Sequence, residues 1–129
     1  MKKARLAKKL LKRILVKHGN AEYYEVDGKR DGEYKLWYMK SGQLFIHCYY
    51  INGKHDGEYK RWYGSGQLFE HYYFKDDEID GEYKQWYDNG QLHKHGHYKN
   101  GKLDGEYQRW LPGGKTSECC YYKNGEEIK

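Results

Sequence analysis

Asp31-Gly32-Glu33-Tyr34-Lys35-Leu36-Trp37-Tyr38 returns as Asp56-Gly57-Glu58-Tyr59-Lys60-Arg61-Trp62-Tyr63 and again as Asp80-Gly81-Glu82-Tyr83-Lys84-Gln85-Trp86-Tyr87. A fourth copy reads Asp104-Gly105-Glu106-Tyr107-Gln108-Arg109-Trp110-Leu111, and the intervals are 25, 24 and 24 residues. Self-similarity at such a period marks a repeat architecture, in which each unit buries its apolar surface against the next. The rest of the unit repeats too. Gly42-Gln43-Leu44, Gly66-Gln67-Leu68 and Gly90-Gln91-Leu92 open its second half, with Gly114-Lys115-Thr116 as a degraded copy. Tyr50, Phe74, Tyr98 and Tyr122 close it, and turns follow at Asn52-Gly53, Asp76-Asp77, Asn100-Gly101 and Asn124-Gly125. The extra residue of the first interval lies in Met39-Lys40-Ser41-Gly42, a turn, where added length costs little.

Each unit reads as strand, short turn, strand, turn. Asn-Gly and Asp-Gly steps tolerate positive φ and signal hairpins, and the segments between them are rich in the ring-bearing residues that strands favour. Alternation with period two places Tyr34, Tyr59, Tyr83 and Tyr107 on one face. Trp37, Trp62, Trp86 and Trp110 fall on the other, beside Lys35, Lys60 and Lys84. On the second strand Leu44 and Tyr50 share a face by the same rule, as do Leu68 with Phe74 and Leu92 with Tyr98. Residues 22–31 add a half-unit. The expectation is an elongated, single-layer antiparallel β-meander of about nine strands built from 24-residue hairpin repeats, spanning residues 21–129.

The composition agrees with a thin sheet. Among 129 residues, Leu, Ile, Val and Phe number only 20, too few for a thick core, while 16 Tyr and 4 Trp supply large rings. No apolar run approaches a membrane span. Three cysteines make no disulfide framework and suit a reducing compartment, so a cytoplasmic location is expected.

Charge is concentrated at the start. Residues 1–18 carry eight basic side chains and no acid, leaving a net −3 on the remainder of a chain whose formal charge is +5. On a helical wheel Leu6, Leu10, Leu11, Ile14 and Leu15 gather on one half, with Lys2, Arg5, Lys8, Lys9, Lys12 and Arg13 opposite. Residues 1–20 are therefore predicted as an amphipathic helix ending at Gly19-Asn20. It would cap the open sheet, or attach through its basic face to an anionic membrane, a nucleic acid or an acidic protein.

The sequence Asp-Gly-Glu-Tyr-Lys-x-Trp-Tyr, then Gly-Gln-Leu, then Tyr-Lys-Asn-Gly-Lys, resembles the second variant of the MORN (membrane occupation and recognition nexus) repeat. That variant occurs in bacterial YwqK-type antitoxin-like proteins and in large families of giant DNA viruses. The resemblance covers residues 22 to about 125 and departs from the standard MORN pattern in its Trp-Tyr pair. It implies an elongated single-layer sheet, brings no catalytic residues, and makes a toxin a candidate partner. A giant-virus origin, with the protein in host cytoplasm or virion, also follows from it.

Candidate sites are few. His93, His95 and His97 alternate along one strand, and His71 and His47 align with His95, giving five histidines expected on one face. No carboxylate or cysteine stands at a ligand spacing, so no metal site is expected. Cys119-Cys120 is not a redox motif, and Asp76-Asp77-Glu78 with Asp80 lacks the pattern of a calcium loop. Four equivalent Asp-Gly-Glu steps are architecture, with Glu33, Glu58, Glu82 and Glu106 pairing with Lys or Arg on neighbouring strands; no phosphate loop or nucleophile triad is present. An enzyme and a cofactor are not expected. Two binding features remain. One is the Trp37, Trp62, Trp86 and Trp110 column, read with Lys35, Lys60, Lys84, Arg61 and Arg109 alternating around it, a ladder suited to a peptide or to stacked bases. The other is the basic group Lys8, Lys9, Lys12 and Arg13. Open sheet edges invite a partner strand or a second copy. The function expected is that of a non-enzymatic repeat scaffold that binds a protein partner.

Overall fold

The computed structural model describes residues 12–129, all β strand and turn. Fourteen strands form one antiparallel sheet. They are β1 (Ile14–His18), β2 (Ala21–Val26), β3 (Lys29–Trp37), β4 (Leu44–Ile51), β5 (Lys54–His55), β6 (Gly57–Trp62) and β7 (Leu68–Lys75). The series continues with β8 (Glu78–Ile79), β9 (Gly81–Trp86), β10 (Leu92–Lys99), β11 (Lys102–Leu103), β12 (Gly105–Trp110), β13 (Thr116–Lys123) and β14 (Glu126–Ile128). Each course of chain pairs with the next, β5, β8 and β11 pairing with the strand before them, so the meander runs without crossovers from the β1 edge to the β14 edge.

Two expectations are corrected. The helix predicted over residues 1–20 is contradicted where the chain is described. Ile14–His18 is a strand paired with Ala21–Val26, and the part of that prediction on residues 1–11 lies outside the described residues. Gly19, with φ +59, closes a hairpin instead of a helix. Ile14 and Val16 are β-branched, the free edge of β2 offers a full set of backbone partners, and Lys17 reaches Glu22 at 3.2 Å. The expected nine strands become fourteen because β1 and β14 extend the two edges and each later Asp-Gly step splits one expected strand in two. There β5–β6, β8–β9 and β11–β12 are each a single course broken at Asp56, Asp80 and Asp104.

The Asp-Gly step is a bulge with a fixed purpose. Asp31, Asp80 and Asp104 turn a carboxylate to the backbone N–H of Asn52, Asn100 and Asn124 at 3.1, 3.2 and 3.3 Å. Each Asp thereby holds the Asn-Gly turn that ends its own unit. In the unit whose turn is Asp76-Asp77, the acceptor moves to the turn: Asp77 takes the His55 N–H at 2.7 Å.

One face is filled by rings. Tyr23, Tyr34, Cys48, Tyr59, Tyr72, Tyr83, Gly96, Tyr107 and Cys120 form the central row, as the strand registers require. Tyr59 stacks on Tyr72 at 4.8 Å between ring centres, and Tyr72 leans on Tyr83 at 5.4 Å. Small residues at Cys48, Gly96 and Cys120 let neighbouring rings lie over them, and these three are the buried positions among the described residues. Burial pushes the Cys48 thiol up to about 12. Arg30 lies about 5 Å over the rings of Tyr23, Tyr34 and Tyr50, a cation on the face of three aromatics.

Neighbouring units are clasped by hydroxyls. Tyr38, Tyr63 and Tyr87 each donate to the carbonyl of the next unit's tryptophan, Trp62, Trp86 and Trp110, at 2.8 Å in every case. Leu111 holds the corresponding place after Trp110 and carries no hydroxyl.

Candidate interaction face

The face opposite the tyrosines repeats a polar triad. Glu33 lies 3.3 Å from Lys35 and 3.0 Å from His47; Glu58 lies 2.8 Å from Lys60 and 3.6 Å from His71; Glu82 lies 3.4 Å from Lys84 and 3.1 Å from His95. Glu and Lys sit two apart on one strand, and the His is the direct cross-strand partner of the Lys. These contacts hold each carboxyl below the usual range. At Glu33 burial pushes the other way and the hydrogen bonds from His47 and Lys35 outweigh it; at Glu58 Lys60 leads, and at Glu82 His95 leads. The fourth unit substitutes both partners at once, with Gln108 facing Cys119. Each complete triad pairs one anion with one cation, so the row is close to neutral.

Beside this row runs an apolar stripe. Trp37, Trp62 and Trp86 stand directly across from Leu44, Leu68 and Leu92, and Trp110 across from Thr116. All four tryptophans are half-buried. Equivalent rings are two strands apart, about 9.5 Å. A bulge at Phe45, Phe69, His93 and Ser117 sets up this pairing, since each strand register skips that residue. The bulge also reverses parity. Leu44 therefore lies with Trp37 and not with Tyr50, against the period-two expectation, and the same holds for Leu68 and Leu92.

Other sequence-predicted residues fall differently. Arg61 and Arg109 are on the tyrosine face, not around the tryptophans. Arg61 binds Glu70 at 3.0 Å and lies 4.7 Å over the Phe69 ring, while Arg109 reaches Glu118 at 3.8 Å. Lys35, Lys60 and Lys84 are on the tryptophan face, but each is held by its own glutamate. The basic and aromatic ladder is thus not assembled. Arg13 binds Asp31 at 3.0 Å and lines a hollow of about 670 Å³ with Tyr24, Glu33, Tyr49 and Asp56. Lys12 is exposed, and Lys8 and Lys9 lie outside the described residues. The five histidines are not one patch: His93, in the bulge, stacks on Tyr87 at 4.1 Å, while His47, His71 and His95 each go to a glutamate. Among the described residues, Glu33, Glu58 and Glu82 therefore do not take a Lys or Arg from a neighbouring strand. Their lysines lie on the same strand and their partners across the hairpin are histidines, a signal that the hairpin register carries.

A family model for the MORN repeat variant matches this chain three times, over residues 56–76, 79–100 and 103–124. The unit at residues 31–53 lies outside those matches and has the same triad, clasp and turn. No curated protein matches the chain. Among solved structures, the crystal structure of TarM is similar to it over 98% of this chain and 23% of that one, at 10% identity and a TM-score of 0.44.

Proposed function

Because the chain belongs to the MORN repeat variant family, whose repeats are non-enzymatic modules for protein or membrane interaction, we propose that it is a scaffold whose tryptophan face docks a protein partner. The observation that supports this is the stripe of Trp37, Trp62, Trp86 and Trp110 with Leu44, Leu68 and Leu92, repeated in register beside a charge-neutral row. Aromatic anchors surrounded by satisfied polar groups are what protein interfaces use. Equivalent contacts about 9.5 Å apart add avidity to individually weak ones. A polyanion would find little there, since the lysines are paired and the arginines face away. Three free cysteines support a reducing cytoplasm as its setting.

The test compares the full chain with Trp62→Ala/Trp86→Ala in affinity purification from the native host, with circular dichroism to verify the sheet. Partners that fall at least ~10-fold while the sheet persists fit the rigid-anchor reading; unchanged partners sink it. A toxin captured by the intact chain would specify the antitoxin-like role that the repeat resemblance suggests. A second reading rests on the eight basic residues in 1–18, which would hold the chain to an anionic membrane. It predicts binding to phosphatidylserine vesicles that falls steeply with salt and survives the tryptophan substitutions.

A further inference from the structure

We propose that Glu82, His95 and His97 form a binding site for a divalent first-row transition ion of the zinc type. Each of the three offers a ligand atom, and these atoms all lie within 4.8 Å of one another. No carboxylate stands at a ligand spacing along the chain; the sheet register supplies one, because Glu82 stands directly across from His97. His95 Nε2 is 3.1 Å from Glu82 Oε2. Two ligand atoms bound at about 2.0–2.1 Å in a tetrahedron are about 3.3 Å apart, so this edge is nearly in place. Lys84 holds the other carboxylate oxygen, Oε1, and leaves Oε2 to the ion. His97 is exposed and can close the remaining distance by a change of rotamer.

Two features separate this unit from its sisters. Tyr49 and Tyr73 occupy the place of His97 in the first two, and their rings sit against His47 and His71 at 5.3 and 5.2 Å, as His97 sits against His95 at 5.4 Å. The ring geometry is common to all three, and only here does the ring carry a donor nitrogen. The second feature is charge. Gln108 stands next to His95 where the earlier units place Lys60 and Lys84 next to His47 and His71. Glu106 lines a hollow of about 110 Å³ with His95, His97 and Gln108, and no ion pair to it is found among the described residues. Glu82, Lys84 and Glu106 therefore leave one net negative charge, which favours a cation. Two imidazoles and a carboxylate suit zinc, nickel or copper over magnesium or calcium, and three protein ligands leave a position for water or a partner's donor.

The experiment is zinc titration of the full chain by calorimetry, in a Cys119→Ser background so that the exposed thiol does not compete. Imidazole NMR signals locate the ion. One zinc per chain is expected, shifting His95 and His97 but not His47 or His71. His97→Tyr restores the residue of the sister units, so the fold is kept, and it should weaken binding at least ~10-fold, as should Glu82→Gln. No binding by the parent, or affinity within about twofold of the parent in His97→Tyr, overturns the proposal.

Discussion

Gln108 and Cys119 face each other across β12 and β13 at 4.0 Å, in the place where three earlier units set a lysine against a histidine. Both partners of Glu106 have been exchanged together, as expected when a triad is a unit: one remaining cation or imidazole would keep only part of the network.

Restoring both residues should rebuild the triad. Gln108→Lys/Cys119→His is expected to stabilise the protein by a few tenths of a kcal/mol, since such half-exposed pairs are screened by solvent. The gain should exceed the sum of the single substitutions and shrink in high salt. Urea denaturation of the double-mutant cycle at two ionic strengths measures this.

The clasps give a test of one-dimensional packing. Tyr63→Phe removes the 2.8 Å bond to the Trp86 carbonyl and should cost about 0.5–1.5 kcal/mol. Tyr87→Phe should cost the same and, in the double variant, the losses should add to within about 0.5 kcal/mol. Coupling well beyond that would mean that units do not act through nearest neighbours alone.

Acid sensitivity should have a named source. His55 stacks on Phe74 at 4.6 Å and lies tilted against Tyr50 at 4.3 Å, with Tyr59 at its edge, and its Nδ1 is buried without a partner. Burial holds it below the ordinary histidine value of 6.5; Asp77 opposes that shift and Arg30 adds to it. The unfolded chain therefore takes up the proton first, and the contribution to stability, complete above pH 6.5, is lost as pH falls through the window below it. Ile79 and Leu103 hold the equivalent place. In His55→Leu the drop in melting temperature between pH 7 and about 5 should flatten. Glu33, Glu58 and Glu82 lose their contributions only in the lower carboxylate range, so the two effects separate in a pH series.

Two glycines should fail for different reasons. Gly81 has φ +113 with only the Tyr73 ring near, at 3.8 Å, so Gly81→Ala costs backbone strain of about 1–3 kcal/mol. At Gly96 an added Cβ meets the Tyr107 ring at 2.9 Å. Gly96→Ala alone should be destabilising, and Tyr107→Leu should relieve much of it. Thermal melts of the three variants and the double decide.

The repeat, the hairpin order and the tyrosine face were legible because they depend on local period and turn chemistry. What escaped was set by register between strands. The bulges at Phe45, Phe69 and His93 leave no composition signal, yet each reverses which residues share a face with Trp37, Trp62 and Trp86. The partnership of His95 and His97 with Glu82 joins residues 13 and 15 apart, a spacing with meaning only once the hairpin is closed. Ile14 and Leu15 fitted the apolar half of a helical wheel while Val16 and Lys17 did not, and an edge with vacant backbone donors and acceptors outweighed that pattern.

The tyrosine clasp gives the array a grammar of growth. Any unit whose first strand runs into Trp-Tyr reaches forward for the carbonyl of its successor, so a duplicated unit inserted ahead of Asp104 would find both of its bonds waiting. One placed behind Leu111 would meet no hydroxyl. Lengthening of this protein by gene duplication is thus favoured ahead of Trp110-Leu111, where each preceding unit supplies a hydroxyl, over the position directly behind that pair.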